Sequence, residues 1–582
     1  MGNSACTMKG CCQSGRLTDS EAKIAGVKPT VIRGHMKVIH GHGSTRGANS
    51  FRFDHSRDGS LSHGATSSVV KATEMTSKQV FAVKTIKIDG CENMQLQQEI
   101  EALEKLDSPH ICKLFQTWTD SKSIFMVFEF CRGGDLTALS RTKALNEGAI
   151  SVLVRQMVGA VTHLHQHDLV HGDLKRQDWL FVEPLTNNTP LVQMTLKMVD
   201  FGIAARHYNK ANLSDEHAGA ADQTQARKHR LRDMSGFICA APEQLDSLSV
   251  PTTACDIWAL GVLAYFMVSG QAPFRRGTGR NHLDTIRQAQ VSFEPAQDWK
   301  VVTQEAKSFL SNCLQRQAVD RPHARELLSS SWMRLAKDVF DEALALQEAN
   351  MGITPKQRGK LSILDAPLPS AQYLLRSFKK MHCRSTLEKA AINAAAHRLK
   401  DDKIATLRTS FQKMDKNGDG VLSAQELCEG LRESGVGVSE LMDILKDVDM
   451  DGDGVIEYTE FVAATYEFQQ SMQEHAVLDI FRMFDQDGSG RVTKAEILQS
   501  LGHAHAASLE HKFPDLNVDM MLRDLDQDGD GEIDAEEFKQ LLLQHTRANP
   551  NVRKHSKEKK SSKERVPSKE RKPSKQHLGI GR

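Results

Sequence analysis

The chain has 582 residues, 26% of them charged, and its 75 Lys and Arg against 74 Asp and Glu leave a net charge of +1. That length is more than one hydrophobic core organises, so several domains are expected. No apolar run reaches the ~18–20 residues of a membrane-spanning helix, the N-terminus lacks the apolar stretch of a secretory signal, and eleven cysteines without metal or disulfide spacing fit buried thiols in a reducing, cytoplasmic setting.

Residues 1–50 are small, polar and basic, without periodicity, and read as a disordered leader. Met1-Gly2 resembles the start of an N-myristoylation signal, although Cys6 stands where that pattern asks for Ser or Thr. Gly2 and Cys6 are the candidate lipidation positions, and one acyl chain would need a second signal to hold a membrane surface. Three β-like runs follow, Ser67–Thr73, Val80–Ile88 and Ser123–Phe130, interrupted by a helical stretch over Met94–Leu106. From Leu139 to about Leu335 helical patterns dominate, with Ile257–Val268 apolar enough for a buried core helix. A small β-rich lobe followed by a larger helical lobe is therefore expected. Residues 207–235 are polar and aperiodic, a loop of a length that usually serves a function.

Residues 336–400 read as helix with a proline-containing break between Pro355 and Pro369. Residues 401–545 then carry 32 Asp and Glu against 12 Lys and Arg, a net of −20, which leaves +21 on the remainder. An acidic block beside a basic remainder suits intramolecular contact. The end, Arg553 to Lys575, holds eleven Lys or Arg and three Glu among Ser and Pro. It reads as a solvated, disordered basic tail that would favour an anionic membrane surface over nucleic acid as a partner.

Several pieces in the first half fall in a telling order. Phe81-Ala82-Val83-Lys84 ends a β-like run and brings a lysine to where it could meet phosphates; Glu99 on the next helix could hold its ammonium. His171-Gly172-Asp173-Leu174-Lys175 sets a carboxylate and a lysine two residues apart. Asp200-Phe201-Gly202 offers a metal-binding carboxylate after an apolar strand. Ala241-Pro242-Glu243, Asp256-Ile257-Trp258 and Arg321-Pro322 complete the series. Each piece alone is weak, but the ordered set over residues 61–322 resembles the protein-kinase catalytic domain.

The resemblance implies a two-lobed α+β fold that positions ATP, Mg²⁺ and a protein hydroxyl. It places Leu61, Gly64, Val69, Ala82, Lys84, Glu99, Glu129, Cys131 and Asp200 at the nucleotide, with Lys84 on the α- and β-phosphates. Asp173 would orient the hydroxyl and accept its proton, and Lys175 would stabilise the moving phosphoryl group. Asp178 and Asp200 would hold Mg²⁺. The Asp-Leu-Lys triplet resembles the serine/threonine class. Three departures stand out. The glycine-rich loop, Leu61 to Ser67, keeps only Gly64, with Ser62 and Ser67 at the other glycine positions. Asp178 replaces the usual asparagine. Gly172 replaces the arginine that pairs with a phosphorylated activation loop, so a switch other than phosphorylation is expected.

Four copies of a second pattern lie at 34-, 36- and 41-residue spacings: DKNGDGVLSAQE from Asp415, DMDGDGVIEYTE from Asp449, DQDGSGRVTKAE from Asp485 and DQDGDGEIDAEE from Asp526. Oxygen donors at positions 1, 3, 5 and 12, a backbone carbonyl at 7 and Gly at 6 are what a hard Ca²⁺ ion demands. The candidate ligands are Asp415, Asn417, Asp419, Val421 and Glu426; Asp449, Asp451, Asp453, Val455 and Glu460; Asp485, Asp487, Ser489, Arg491 and Glu496; and Asp526, Asp528, Asp530, Glu532 and Glu537. Ser489 leaves the third loop one carboxylate short. Position 8 is always apolar (Leu422, Ile456, Val492, Ile533), which suits loops paired back to back, so two pairs of EF-hands are expected.

Between the two halves, Leu374, Phe378 and Met381 recur at helical spacing with Arg376, Lys379, Lys380 and Arg384 alongside. That is a basic amphipathic helix of the kind an opened calcium sensor grips. Kinase, junction and four EF-hands together resemble the calcium-dependent protein kinases of plants and protists. The expected organisation is multidomain: a leader (1–50), a two-lobed α+β protein-kinase fold (51–335), an autoinhibitory junction (336–400), an all-α EF-hand domain of calmodulin type (401–545) and a tail (546–582). The resemblance implies a serine/threonine kinase using ATP, Mg²⁺ and Ca²⁺ on protein substrates, with an EF-hand to junction contact. The competing reading is a calcium-responsive scaffold on a silent kinase fold; Ser62, Ser67 and Asp178 are where the two part.

Overall fold

The computed structural model describes most of residues 51–87, 106–200, 239–350 and 368–466, with parts of 478–543. Residues 1–50, 64–66, 88–99, 201–204, 207–238, 351–367, 501–525 and 544–582 lie outside the described residues, with some shorter stretches. The leader, the lipidation candidates, the long polar loop and the basic tail therefore lie outside them.

The small lobe is one antiparallel sheet of β1 (Phe51–Phe53), β2 (Ser60–His63), β3 (Ser67–Glu74), β4 (Val80–Lys87), β5 (Leu114–Thr119) and β6 (Ser123–Glu129). Its order is β1-β3-β4-β6-β5, with β2 on β3. Period-two alternation sorts β4: Phe81 and Val83 enter a core with Phe51, Phe115 and Trp118, leaving Ala82 and Lys84 on the opposite face. Phe51 stacks on Trp118 at 5.5 Å between ring centroids. The three expected strands are present as β3, β4 and β6. The other three are short: β1 is only Phe-Arg-Phe, β2 is Ser-Leu-Ser-His and β5 does not alternate strictly, so their pattern carries little signal. Of the expected helix over Met94–Leu106, Ile100, Leu103 and Leu106 are described, and all three are buried in the main core.

The large lobe is built on α1 (Glu147–Gln166), α2 (Thr253–Ser269), α3 (Gln304–Cys313) and α4 (Ser331–Asn350). Asn146 caps α1 by accepting from the Ala149 N–H at 2.8 Å, satisfying one of the orphan donors of a helix start. α2 contains the expected apolar run and is buried on several sides, with Trp258, Leu260 and Leu263 fully enclosed. α4 continues through residue 335 without a break. Its stripe Ala336, Phe340 and Leu344 packs on Val152 and Val192.

A second core joins α5 (Ala371–His382) and α6 (Thr386–His397) to the helices α7 (Ala405–Met414), α8 (Ala424–Gly430), α9 (Val438–Val448), α10 (Tyr458–Thr465) and α11 (Ala535–Leu543). Leu374, Phe378 and Met381 are buried in it, so the amphipathic helix lays its apolar stripe on the EF-hand helices. The calcium loops pair as their position-8 residues require: Leu422 lies opposite Ile456 and Val492 opposite Ile533.

The two cores meet through polar contacts behind the small-lobe to large-lobe connection. His110 shows how closely. Its Nδ1 donates to the Leu196 carbonyl at 3.0 Å, so Nε2 is the acceptor that faces the Gln412 amide at 3.0 Å. Burial pushes this imidazole down from its ordinary 6.5 to about 3, with Arg408 and Lys197 adding repulsion against the pull of the Leu196 carbonyl. The unfolded chain then takes up a proton below pH 6.5 that the folded chain refuses until about pH 3, so stability falls as pH drops through that window. The expected cost is about 1.4 kcal/mol per pH unit. A His110→Gln chain should lose correspondingly less stability between pH 6.5 and pH 5.5 in parallel thermal melts; identical losses in the two chains would refute the assignment.

Candidate active site and calcium loops

The cleft between the lobes gathers five of the sequence candidates. Lys84 Nζ lies 3.0 Å from Asp200 Oδ1. Lys175 Nζ lies 3.6 Å from Asp173 Oδ2, 3.6 Å from Asp178 Oδ1 and 3.9 Å from Asp200 Oδ2. One ammonium thus sits among three carboxylates, with a second ammonium beyond the last. Sheet register supplies Lys84: it pairs with Val69 across β3 and with Met126 across β6, while Ala82 pairs with Phe128. Residues directly opposite share a face, so Val69, Ala82 and Lys84 form one wall. Leu61 lies at a register shift of β2 and is 43% exposed. Gly64 and Glu99 lie outside the described residues.

The catalytic loop is held from below. Asp256, 1% exposed, accepts from the His171 N–H at 2.9 Å and the Gly172 N–H at 2.8 Å, and meets His165 Nε2 at 2.9 Å. Gln244 Nε2 donates to the Gly172 carbonyl at 2.8 Å. Gly172 has φ +78°, a left-handed conformation that glycine adopts without the penalty a side chain carries. The departure from arginine therefore costs the loop nothing in backbone terms. Asp178 accepts from the Lys175 N–H at 3.0 Å, and its carbonyl accepts from the Val199 N–H at 2.8 Å, tying the loop to the residue before Asp200.

Charge in the cleft follows from these contacts. Burial works against Asp200, but the charge and hydrogen bond of Lys84 prevail and hold its carboxyl below the usual range. Burial likewise opposes the Lys175 ammonium, and Asp178, Asp173 and Asp200 overcome it and raise its pKa. Asp178 goes the other way: burial pushes its carboxyl well above the usual range despite the pull of Lys175, with Asp200 and Asp173 adding repulsion. Three carboxylates crowded on one ammonium are a donor set that fits Mg²⁺, a hard cation that takes oxygen ligands.

The hinge candidates sit at the end of β6. The Glu129 side chain turns away from the Lys84 wall and accepts from Lys197 Nζ at 2.7 Å, with Lys197 almost fully enclosed. Its backbone N–H donates to the Lys113 carbonyl at 3.0 Å. Cys131 is buried beside it, and the neighbouring Cys112 thiol, then burial, push its thiol up. Sequence reasoning missed Asp256, Gln244 and Lys197 as supports. The one signal for Lys197 was a lysine between Leu196 and Met198 in an otherwise apolar strand.

All four calcium loops share one hydrogen-bond frame. The position-1 aspartate accepts from the position-6 glycine N–H: Gly420 to Asp415 at 3.1 Å, Gly454 to Asp449 at 3.1 Å, Gly490 to Asp485 at 3.0 Å and Gly531 to Asp526 at 2.8 Å. The position-12 glutamate accepts from the position-9 N–H: Ser423 to Glu426 at 3.0 Å, Glu457 to Glu460 at 3.0 Å, Thr493 to Glu496 at 2.9 Å and Asp534 to Glu537 at 2.9 Å. Asn417 Oδ1 accepts from the Asp419 N–H at 2.8 Å, and Asp453 Oδ1 from the Val455 N–H at 2.9 Å. Asp530 Oδ1 accepts from the Glu532 N–H at 2.9 Å. Ser489 Oγ donates to the Arg491 carbonyl at 3.1 Å. Asp451 and Asp487 lie outside the described residues.

These loops fit a divalent cation. Asp526, Asp528 and Asp530 bring carboxylate oxygens within 4.8 Å of one another. Asp485 Oδ1 is buried without a hydrogen-bond partner among the described residues. In the first loop burial, then Asp419 and Glu426, push the Asp415 carboxyl up to about 7, a crowding that a bound cation would relieve. One contact was not foreseen: the Arg491 side chain, at position 7 of the third loop, pairs with Asp530 and Glu532 of the fourth.

Known proteins resemble this chain in sequence. Residues 56–333 match the protein kinase domain, and residues 404–466 and 474–543 match the EF-hand domain pair. The chain is 27% identical to calcium-dependent protein kinase 3 of Plasmodium berghei (strain Anka) over 488 residues, covering 83% of this chain and 78% of that protein. It is 26% identical to calcium-dependent protein kinase 5 of Plasmodium falciparum (isolate 3D7), over 83% of this chain and 76% of that protein. Calcium-dependent protein kinase 4 of Plasmodium berghei (strain Anka) is 26% identical, over 83% of this chain and 85% of that protein.

Proposed function

The chain belongs to the protein kinases that carry EF-hand pairs, and on that premise we propose that it transfers the γ-phosphate of ATP to serine or threonine hydroxyls of proteins when calcium fills its EF-hands. The observation that carries the reading is the convergence of Lys84, Asp173, Lys175, Asp178 and Asp200, each within 4 Å of a partner in the set. A kinase does little covalent chemistry of its own; it positions reactants and balances charge. Lys84 holds the α- and β-phosphates and is itself oriented by Asp200. Asp173 accepts a hydrogen bond from the substrate hydroxyl and takes its proton as the oxygen attacks. Lys175, kept cationic by three carboxylates, balances charge on the transferring group. Mg²⁺, held by Asp200 and Asp178, would supply neutralisation of the phosphate oxygens.

Calcium control rests on where α5 lies. Its apolar stripe, Leu374, Phe378 and Met381, is buried among EF-hand residues, and Phe378 meets the Phe461 ring edge-on at 6.0 Å. An opened EF-hand groove is the kind of site that holds such a helix. In the proposed cycle the junction covers the cleft at low calcium, and the EF-hands draw it into their own core when calcium is present. Gly172 fits this control, since glycine and not arginine precedes Asp173 in the sequence.

The test is phosphorylation of a serine peptide by the purified full chain, at saturating free Ca²⁺ and in chelator. A calcium-dependent rate is expected. Equal rates in the two buffers would sink the switch, and no transfer in either would favour the silent scaffold.

A further inference from the structure

Helix α1 of the large lobe presents one stripe to the first calcium loop. Arg155, Gly159 and Gln166 are spaced by four and seven residues, so they share a face of that helix. Arg155 Nη2 donates to the Lys416 carbonyl at 2.7 Å while Nη1 donates to the Met333 carbonyl at 3.3 Å, so one guanidinium ties the loop to the large lobe. Gln166 hydrogen-bonds the candidate ligand Asp419. Gly159 faces the Gly418 carbonyl so closely that a Cβ added there would lie 2.5 Å from its oxygen. Two further points continue the wall: a Cβ on Gly418 would meet Arg155 Nη2 at 2.7 Å, and one on Gly420 would meet Ser108 Oγ at 3.1 Å.

The Gly159 contact is informative because of what is missing around it. Among the described residues, and apart from the helix's own backbone, the added Cβ would meet only Gly418 atoms within 4 Å. The kinase lobe itself has room for alanine, and alanine is the better helix former. A glycine in the middle of a 20-residue helix therefore answers to the calcium loop and not to the kinase core.

We propose that helix α1 is the outer wall of the first calcium site and sets that site's affinity, by holding Lys416–Gly420 in the frame that points Asp415, Asp419 and Glu426 inward. The inference rests on reading the loop as a calcium site. Its consequence is reciprocal: if docking on α1 favours the ion, the ion favours docking by the same factor. The first site is then part of the kinase–EF-hand contact, whereas among the described residues no such wall stands at the fourth, whose Asp528 and Asp530 are exposed.

The experiment is a calcium titration of the full chain against a chromophoric chelator, with Glu426→Gln marking which binding event belongs to the first loop. Gly159→Ala changes no charge, and Arg155→Ala removes no core residue; each is expected to weaken the marked event at least fivefold, within the usual range of coupling between sites, and to leave the other three within twofold. Far-ultraviolet circular dichroism of both variants in chelator should match the parent. Unchanged binding at the marked site in both variants overturns the proposal. So does tighter binding in Arg155→Ala with no change in Gly159→Ala, which would make Arg155 only a repelling charge. Because ion binding is read directly, a chain whose phosphorylation ignores calcium would defeat the proposed switch and leave this result standing.

Discussion

Asn in place of Asp173 is expected to lower the peptide-phosphorylation rate by about 10²–10⁴-fold, the usual share of a positioned general base, while KM for ATP stays within about threefold, as for a group acting only in the transition state. The asymmetry follows from the contacts. Asp173 is partly exposed and reaches toward the cleft, where it pairs with Lys175 at 3.6 Å. Its close ion-pair partner among the described residues is thus not one of the groups that would hold the nucleotide. The loop beneath it is fixed by Asp256 through the His171 and Gly172 amides, so an isosteric amide should leave the backbone in place. Lys84→Met gives the contrast. It removes the partner of Asp200 at 3.0 Å together with the candidate phosphate contact, so both kcat and KM for ATP should suffer. Steady-state kinetics over ATP and peptide separates the two patterns. A chain that keeps more than about a tenth of its rate as Asp173→Asn would need another base, because so small a loss is below what proton acceptance contributes.

Most of the site was legible because its residues are polar and ordered along the chain. Lys84, Asp173, Lys175, Asp178 and Asp200 stand in sequence as isolated charges beside apolar strands, and the calcium loops repeat a ligand pattern that few other constraints produce. The supports were harder to see. Asp256 lies 84 residues from the amide of Gly172 that it fixes, and Lys197 lies 68 residues from Glu129; nothing local to either announces the pairing. The strands β1, β2 and β5 escaped notice for a related reason. They are held by their neighbours, β2 by pairing with β3 and β1 with β5 through the Phe51–Trp118 stack, and each is too short or too irregular to show a clear pattern of its own. Gly159 was invisible as well: a glycine inside a helix pattern reads as a minor weakness until the Gly418 carbonyl appears against it. The relation between kinase and EF-hands is set by such single contacts, and pattern-reading cannot find them.

Phe378→Ala should cost about 3–5 kcal/mol in the core shared by α5 and the EF-hands, the usual penalty for emptying a buried phenylalanine site. The ring is fully enclosed and stands at the end of an aromatic chain: it meets Phe461 edge-on at 6.0 Å, Phe461 meets Phe411 at 5.5 Å, and Phe411 meets Tyr458 at 5.3 Å. Three of these four residues lie on the first EF-hand pair, and Tyr458 also carries Lys113 of the small lobe over its ring at 5.0 Å. Loss of the ring therefore loosens α5 where the EF-hands grip it and weakens the packing beneath the contact with the kinase. Lys379→Ala is the matched control, since its pair with Glu440 is about half exposed on both sides and exposed pairs contribute only ~0–1 kcal/mol. In calcium, the Phe378 variant should melt several degrees below both the parent and the Lys379 variant, and its calcium-stimulated phosphorylation should fall further than theirs. The two readouts test different claims. A lower melting temperature with normal calcium stimulation would mean that α5 is packed there for stability alone, and that burying its apolar stripe in the EF-hands is not what frees the cleft.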